Sequence, residues 1–188
     1  MVLLKKKIFG YKERTEKDRT EYELAIKDIP LEARIYVDET GIDDNDVPEF
    51  GWGPIGERIA DMKRGEKMKR YSVLAGLSNN KIIAPIVFEG TCCRELFEYW
   101  LETILLPVAK PGSVIILDNA SFHRGGRIKT LIDAAGCILL YLPAYSPDLN
   151  PIEHHWNRVK RIIKKHFVDS VKDMFDWAIQ AFDEILAY

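Results

Sequence analysis

Three acidic residues in this 188-residue chain, Asp38, Asp118 and Glu153, are placed so that they could hold a divalent cation between them. Asp38 closes Arg34-Ile35-Tyr36-Val37-Asp38-Glu39, a segment rich in strand-forming residues. Asp118 closes the apolar run Val114-Ile115-Ile116-Leu117, the mark of a strand covered on both faces. Glu153 follows Pro151 in the first turn of a helix. In open α/β sheets, ligand sites lie at the carboxyl ends of the strands. Two aspartates ending parallel neighbours would therefore share one edge, where like charges repel unless a cation lies between them. Two or three carboxylates with water are the ligand set that Mg²⁺ prefers.

Each acid also has a purely structural explanation. Asp38-Glu39-Thr40-Gly41 has the residue types of a turn, and Glu39 beside Asp38 is a competing acid. Asp118-Asn119 fits a strand-to-loop cap. With Asn150 as N-cap, Pro151 falls at N1 and Glu153 at N3, the place of a capping-box glutamate. Singly these readings are the simpler ones. Jointly they do not predict acids ending both central strands and a third leading the helix that follows.

Delivering the acids to one place constrains the elements. Residues 12–28 are highly charged with few apolar positions and suggest a peripheral helix that ends before Pro30. After the first strand, a polar stretch with Gly41, Pro48, Gly51, Gly53, Pro54 and Gly56 reads as a long loop. Arg70 to Leu77 and Lys81 to Phe88 read as strands joined through Ser78-Asn79-Asn80, an antiparallel hairpin. Cys93 to Val108 and Arg127 to Ala135 have helical patterns, the second stopped by Gly136. Cys137 to Leu142 is a further buried strand, and Pro143 to Pro151 a turn-rich loop. Pro151 to Phe167 is a helix with Ile152, Trp156, Val159 and Ile163 on one stripe, which makes Trp156 a core residue. Val171 to Leu186 reads as a last amphipathic helix. The last two strands need crossovers and should run parallel to a neighbour. The expected α/β architecture is a mixed five-stranded sheet flanked by helices, the layout of a ribonuclease-H-like fold. Residues 1–30 form a linker and peripheral helix in this reading, and 31–188 the main domain.

Composition narrows the class. Net charge is −2, which by itself suggests no nucleic-acid partner. The distribution says more: residues 63–70 read KRGEKMKR and 158–166 read RVKRIIKKH. Such local basic stretches can bind phosphates, although each alone is equally a solvated face. No apolar run approaches the roughly 18 residues of a membrane span, and the basic residues near the N-terminus follow the apolar ones, the reverse of a secretory signal. A cytoplasmic, nucleoid-associated protein is expected. Cys92, Cys93 and Cys137 are odd in number and unspaced, so neither a disulfide framework nor a zinc site is expected.

The segment Leu142-Pro143-Ala144-Tyr145-Ser146-Pro147-Asp148-Leu149-Asn150-Pro151-Ile152-Glu153 resembles the block around the third acid of mariner-type and related bacterial insertion-sequence transposases. Ile116-Leu117-Asp118-Asn119-Ala120-Ser121-Phe122-His123 resembles their second-acid block, and Tyr36-Val37-Asp38-Glu39-Thr40-Gly41 their first. The 34 residues between Asp118 and Glu153 match a spacing used by the group, and Trp52 to Arg58 resembles a further block. The resemblance runs from about residue 30 to 166.

It implies Asp38, Asp118 and Glu153 as catalytic ligands of two Mg²⁺ or Mn²⁺ ions. The implied activity is cleavage and strand transfer of double-stranded DNA at transposon ends and target. Asn119 and His123 become candidates for orienting a carboxylate or approaching the scissile phosphate. Lys63, Arg64, Lys160, Arg161 and Lys164 become candidate DNA contacts; Glu153, Asn157, Lys160 and Lys164 share one helix face. The resemblance also implies a homodimer, in which the 43–70 segment contacts the partner subunit and DNA. Full-length members carry helix-turn-helix domains ahead of the first catalytic strand, where only about 30 residues stand here. A separate helix-turn-helix polypeptide or a missing domain is the corresponding expectation. Two other readings stay open: a non-catalytic, domesticated DNA-binding remnant, and another ribonuclease-H-like nuclease of the resolvase type.

Overall fold

A computed structural model describes residues 14–42 and 70–167, the last six of these as backbone only. Helix α1 spans Glu16–Ile26, and a single 3₁₀ turn at Leu31–Ala33 leads into strand β1, Arg34–Ile42. Strands β2 (Tyr71–Ser78) and β3 (Lys81–Glu89) follow, then helix α2 (Arg94–Trp100) and strand β4 (Val114–Leu117). Helix α3 (Ile128–Ala134), strand β5 (Ile138–Tyr141) and helix α4 (Ile152–Phe167) complete the described elements. Lys63, Arg64, the 43–69 segment and the helix expected over Val171 to Leu186 lie outside the described residues.

The five strands form one sheet in the order β3-β2-β1-β4-β5. β2 runs antiparallel to both β1 and β3, whereas β4 runs parallel to both β1 and β5. This is the mixed sheet that the element order predicts. The β2–β3 link is two residues rather than three. Asn79 and Asn80 both take positive φ, 48° and 60°, the pairing that a tight hairpin matching strand twist requires and that asparagine tolerates. Farther along, Ala84 and Pro85 of β3 stand opposite the single Ala75, a bulge that puts Ala84 at φ 53°. The Ala84 carbonyl accepts the indole N–H of Trp100 at 2.8 Å, so the bulge is anchored to α2.

Side chains alternate across the sheet and feed two cores. On one face Tyr36, Val73, Ala75, Leu77 and Ile116 pack with Tyr22 of α1 and with Ile152, Trp156 and Val159 of α4. On the other, Ile35, Val37, Leu74, Ile115 and Leu117 pack with Phe97, Trp100, Leu101 and Leu105 after β3 and with Ile128 and Ile132 of α3. The helix expected over Cys93 to Val108 widens midway into a π turn at Leu101–Leu105, where Leu106 N–H bonds to Leu101 O at 2.9 Å. One wide turn keeps both Leu101 and Leu105 fully buried.

One sequence expectation is corrected. Asp38 does not end β1, which continues four residues to Ile42. On its other side β1 pairs with β2 as far as Ile42 opposite Tyr71, and that ladder keeps the chain extended through the residues that looked like a turn. Burial also fixes where substitutions act. Leu105→Ala should cost about 2–5 kcal/mol of unfolding free energy, whereas Tyr99→Ala, exposed on the same segment, should stay within about 0.5 kcal/mol. Urea denaturation of the two variants measures the difference.

Candidate active site

Register brings the first two acids together. β1 and β4 pair in parallel with Arg34 opposite Val114 and Tyr36 opposite Ile116. The same offset carried two residues further sets Asp38 against Asp118, which leaves β4 at its carboxyl end. Glu153 comes from the first turn of α4. Together with Asn119, Ala120, Asn150 and the Leu142–Pro147 segment, the three acids line one cavity of about 410 Å³.

Asp38 is the most desolvated of the three. Its Oδ1 accepts the backbone N–H of Glu39 at 2.8 Å, and its Oδ2 accepts the indole N–H of Trp156 at 3.0 Å. Burial pushes its carboxyl up to about 7, and the charges of Glu153 and Asp118 push the same way. The two N–H donors offset this only in part. Alternation sends Glu39 to the opposite face of the sheet, so it does not line the cavity and does not compete with Asp38. Burial raises its carboxyl as well, while the nearby His123 draws it down.

Asp118 is held differently. Burial pushes its carboxyl up, but a hydrogen bond from His123, the Ala120 N–H and the charge of His123 outweigh that, and the net direction is down. Nδ1 of His123 lies 2.5 Å from Asp118 Oδ1, and the Ala120 N–H donates to the same oxygen at 3.0 Å. The imidazole is buried between the rings of Phe97 and Phe122, with centroids 4.4 and 4.2 Å away, and Tyr141 Oη donates to its backbone carbonyl at 2.8 Å. His123 therefore orients a carboxylate. Asn119 braces the next residue: its Nδ2 donates to Leu142 O at 2.6 Å, and its Oδ1 accepts the guanidinium of Arg124.

The capping box expected at Glu153 does not form. Asn150 Oδ1 is buried and accepts no hydrogen bond among the described residues, and α4 starts at Ile152 with Glu153 N–H on Asn150 O at 3.3 Å. Glu153 is exposed and free of a capping task. Lys160 and Arg161 sit about two turns along α4 and do not line the cavity, and the side chain of Lys164 is outside the described residues. Sequence reasoning missed three contributors. Trp156 was assigned to the core by its stripe, which hides the polar edge of its ring. Arg124 lies over the Tyr141 ring at 5.5 Å while bonded to Asn119. Arg19 of α1, 8% exposed, forks onto both oxygens of Asp148 at 3.0 and 2.7 Å and ties the loop before Glu153 to α1.

The donor set suits a divalent cation of the Mg²⁺ type. All three groups facing the cavity with charge are carboxylates, and the Asp38 carboxyl is raised first by burial and then by the charges of Glu153 and Asp118. Among the described residues no three acids, histidines or cysteines close into a ready cage. Mg²⁺ keeps several waters and takes one or two carboxylates rather than an all-protein cage, so an open acidic cavity fits it.

Residues 33–175 match the family described as DDE superfamily endonuclease, well over half of the chain. The chain is 32% identical over 119 residues to the transposase of transposable element Tcb1 of Caenorhabditis briggsae, an alignment covering 59% of this chain and 44% of that protein. It is 33% identical over 87 residues to the Tcb2 transposase of the same organism, covering 44% and 32% respectively. The chain thus spans less than half the length of these relatives. Among solved structures it is similar to the Mos1 strand transfer complex, with TM-score 0.64, 16% identity and 99% of this chain and 66% of that chain covered. It is also similar to the catalytic domain of Mos1 mariner transposase, with TM-score 0.56, 15% identity and 96% and 95% covered. These structural likenesses are of fold, and they confirm the ribonuclease-H-like layout. By the family match, the chain belongs to the DDE superfamily endonuclease family.

Proposed function

We propose that this chain is the catalytic part of a transposase, cutting and joining DNA at transposon ends with Asp38, Asp118 and Glu153 as the metal-holding acids. The observation that supports it most is the single cavity lined by all three acids, with Asp38 opposite Asp118 in the parallel register. Mos1 complexes with Mn and with Mg are among the similar structures, which supports divalent-metal use here. A bound divalent pair would supply activation of the attacking oxygen and stabilisation of the leaving one in an in-line displacement at phosphorus. The chain's residues do the positioning. His123 holds Asp118 in one orientation, and Asn119 fixes the turn after β4 to the strand β5 exit. The Leu142–Pro147 wall gives the cavity an apolar side against which a sugar-phosphate backbone can lie. Transposon-end complexes among the Mos1 structures support DNA as the partner. Reading of the end sequence is assigned to a helix-turn-helix part beyond these residues, and pairing of two ends to a homodimer. Among the described residues no helix is long and apolar enough to cross a membrane.

Purified chain joined to an end-recognising helix-turn-helix part should cut DNA carrying the element's ends with Mg²⁺ or Mn²⁺ and not with a chelator. Asp38→Ala, Asp118→Ala and Glu153→Ala should each bring cleavage to background while leaving the far-ultraviolet circular dichroism intact. Preferential cutting of a four-way junction or an RNA–DNA hybrid would overturn the transposase assignment in favour of another nuclease.

The raised Asp38 carboxyl gives a second expectation. Its folded value, about 7, lies above the ordinary 3.8, so the folded state binds this proton more tightly than the unfolded chain. Metal-free protein should be most stable near pH 4 with respect to this group and lose stability as pH rises through about 7. Glu39, also raised, adds to the slope. In chelator, the melting temperature should fall by several degrees between pH 5 and 8; Asp38→Asn should reduce that fall, and Mg²⁺ should reverse it. Thermal melts across pH test all three, and equal slopes for wild type and Asp38→Asn would refute the assignment.

A further inference from the structure

Helix α4 carries two groups toward the cavity from opposite chemical classes. Glu153 brings charge, and Trp156, one turn on, brings a single N–H. Trp156 is 2% exposed and packs with Tyr36, Ile116 and Val159, so its ring cannot swing without disturbing the core. Its Nε1 lies 3.0 Å from Asp38 Oδ2. An indole N–H can only donate, so it takes one lone pair of Oδ2 and cannot itself bind a cation in the carboxylate's place. The other oxygen takes the Glu39 N–H at 2.8 Å. With one donor on each oxygen, the carboxylate is fixed in rotation and keeps lone pairs for the cavity. An apolar residue at position 156 would serve the core equally well but would leave Asp38 Oδ2 buried without this donor.

We propose that Trp156 is a positioning residue for the metal site: its indole N–H sets the orientation of the Asp38 carboxylate and couples it to the helix that presents Glu153. The proposal rests on the metal-holding role of Asp38 and concerns how the site is pre-organised. Groups that hydrogen-bond a ligating carboxylate typically contribute 10- to 100-fold in metal affinity. Trp156→Phe keeps an aromatic ring and removes the N–H. Val159→Ala, on the same buried stripe, loses packing and touches no acid of the site.

The experiment is Mn²⁺ titration by calorimetry on the full chain, wild type against Asp118→Ala, Trp156→Phe and Val159→Ala, with thermal melts alongside. Wild type should bind Mn²⁺ in a manner lost in Asp118→Ala. Trp156→Phe should bind about tenfold or more weakly, whereas Val159→Ala should stay within about twofold despite its own drop in melting temperature. Trp156→Phe affinity within twofold of wild type overturns the proposal and leaves the metal-holding assignment standing. No Asp118-dependent binding in wild type overturns both. Should Trp156→Phe not fold, indole ¹⁵N–¹H spectra of wild type decide, among four tryptophans. The signal displaced by Asp38→Asn should also move on Mg²⁺ addition, and its failure to move overturns the proposal.

Discussion

Two aspartates held opposite each other across a parallel strand pair repel, and the fold keeps them there. β4 ends at Leu117 while β1 continues beside β2, so Asp118 leaves the sheet level with an Asp38 still locked in a ladder. Neither can relax away. Asp38 is gripped at both oxygens, and Asp118 is pinned by the Ala120 N–H and a histidine buried between two aromatic rings. The unfavourable term is local and the restraint is distributed over both cores. A cation would relieve the first without altering the second, which is what pre-organisation means for the proposed metal site.

The two faces of the sheet contribute unequally to this restraint. From the α1/α4 face come Trp156 and Glu153; from the α2/α3 face come Phe97, Phe122 and the buried His123. β1 is the element common to both, with Asp38 directed to one face and Glu39 to the other. Glu39 lies close enough to His123 and Asp118 for their charges to act on it in opposite directions. The single strand thus places one acid in the cavity and a second behind the residue that orients its opposite number.

Much of this was legible in the sequence because it depends on local pattern. Continuous apolar runs gave β4 and β5, the Ser78-Asn79-Asn80 link gave the hairpin, and the four-three-four stripe gave α4. Crossover rules made the last two strands parallel to a neighbour, and the structure supplies the β1–β4 adjacency on which the meeting of Asp38 and Asp118 depends. What stayed hidden depended on partners distant in sequence. The residues after Asp38 have turn composition and become strand because Tyr71, Ser72, Val73 and Leu74 of β2 pair with them. Trp156 scores as apolar at its stripe position, and only the tertiary packing shows its N–H aimed 118 residues back along the chain. The Asn150–Glu153 spacing satisfies the capping-box pattern, yet the Asn150 side chain is buried beside the cavity and does not cap. A spacing rule states which bond is reachable, and packing decides whether it is made.

Glu153 differs from the aspartates in solvation, and the difference has a consequence for how the site is filled. Asp38 stands within the sheet and is the most desolvated, Asp118 at the end of β4 is half-buried, and Glu153 is exposed on the first turn of a helix. Its position is set from outside the cavity, by the Arg19 fork on Asp148 and the 3₁₀ turn at Pro147–Leu149 that leads into α4. The strongest desolvation is therefore at Asp38, where a cation at the proposed site would relieve the repulsion from Glu153 and Asp118. The exposed carboxylate, which gives up least solvent, would be the one free to adjust to a hydrated ion at the proposed site.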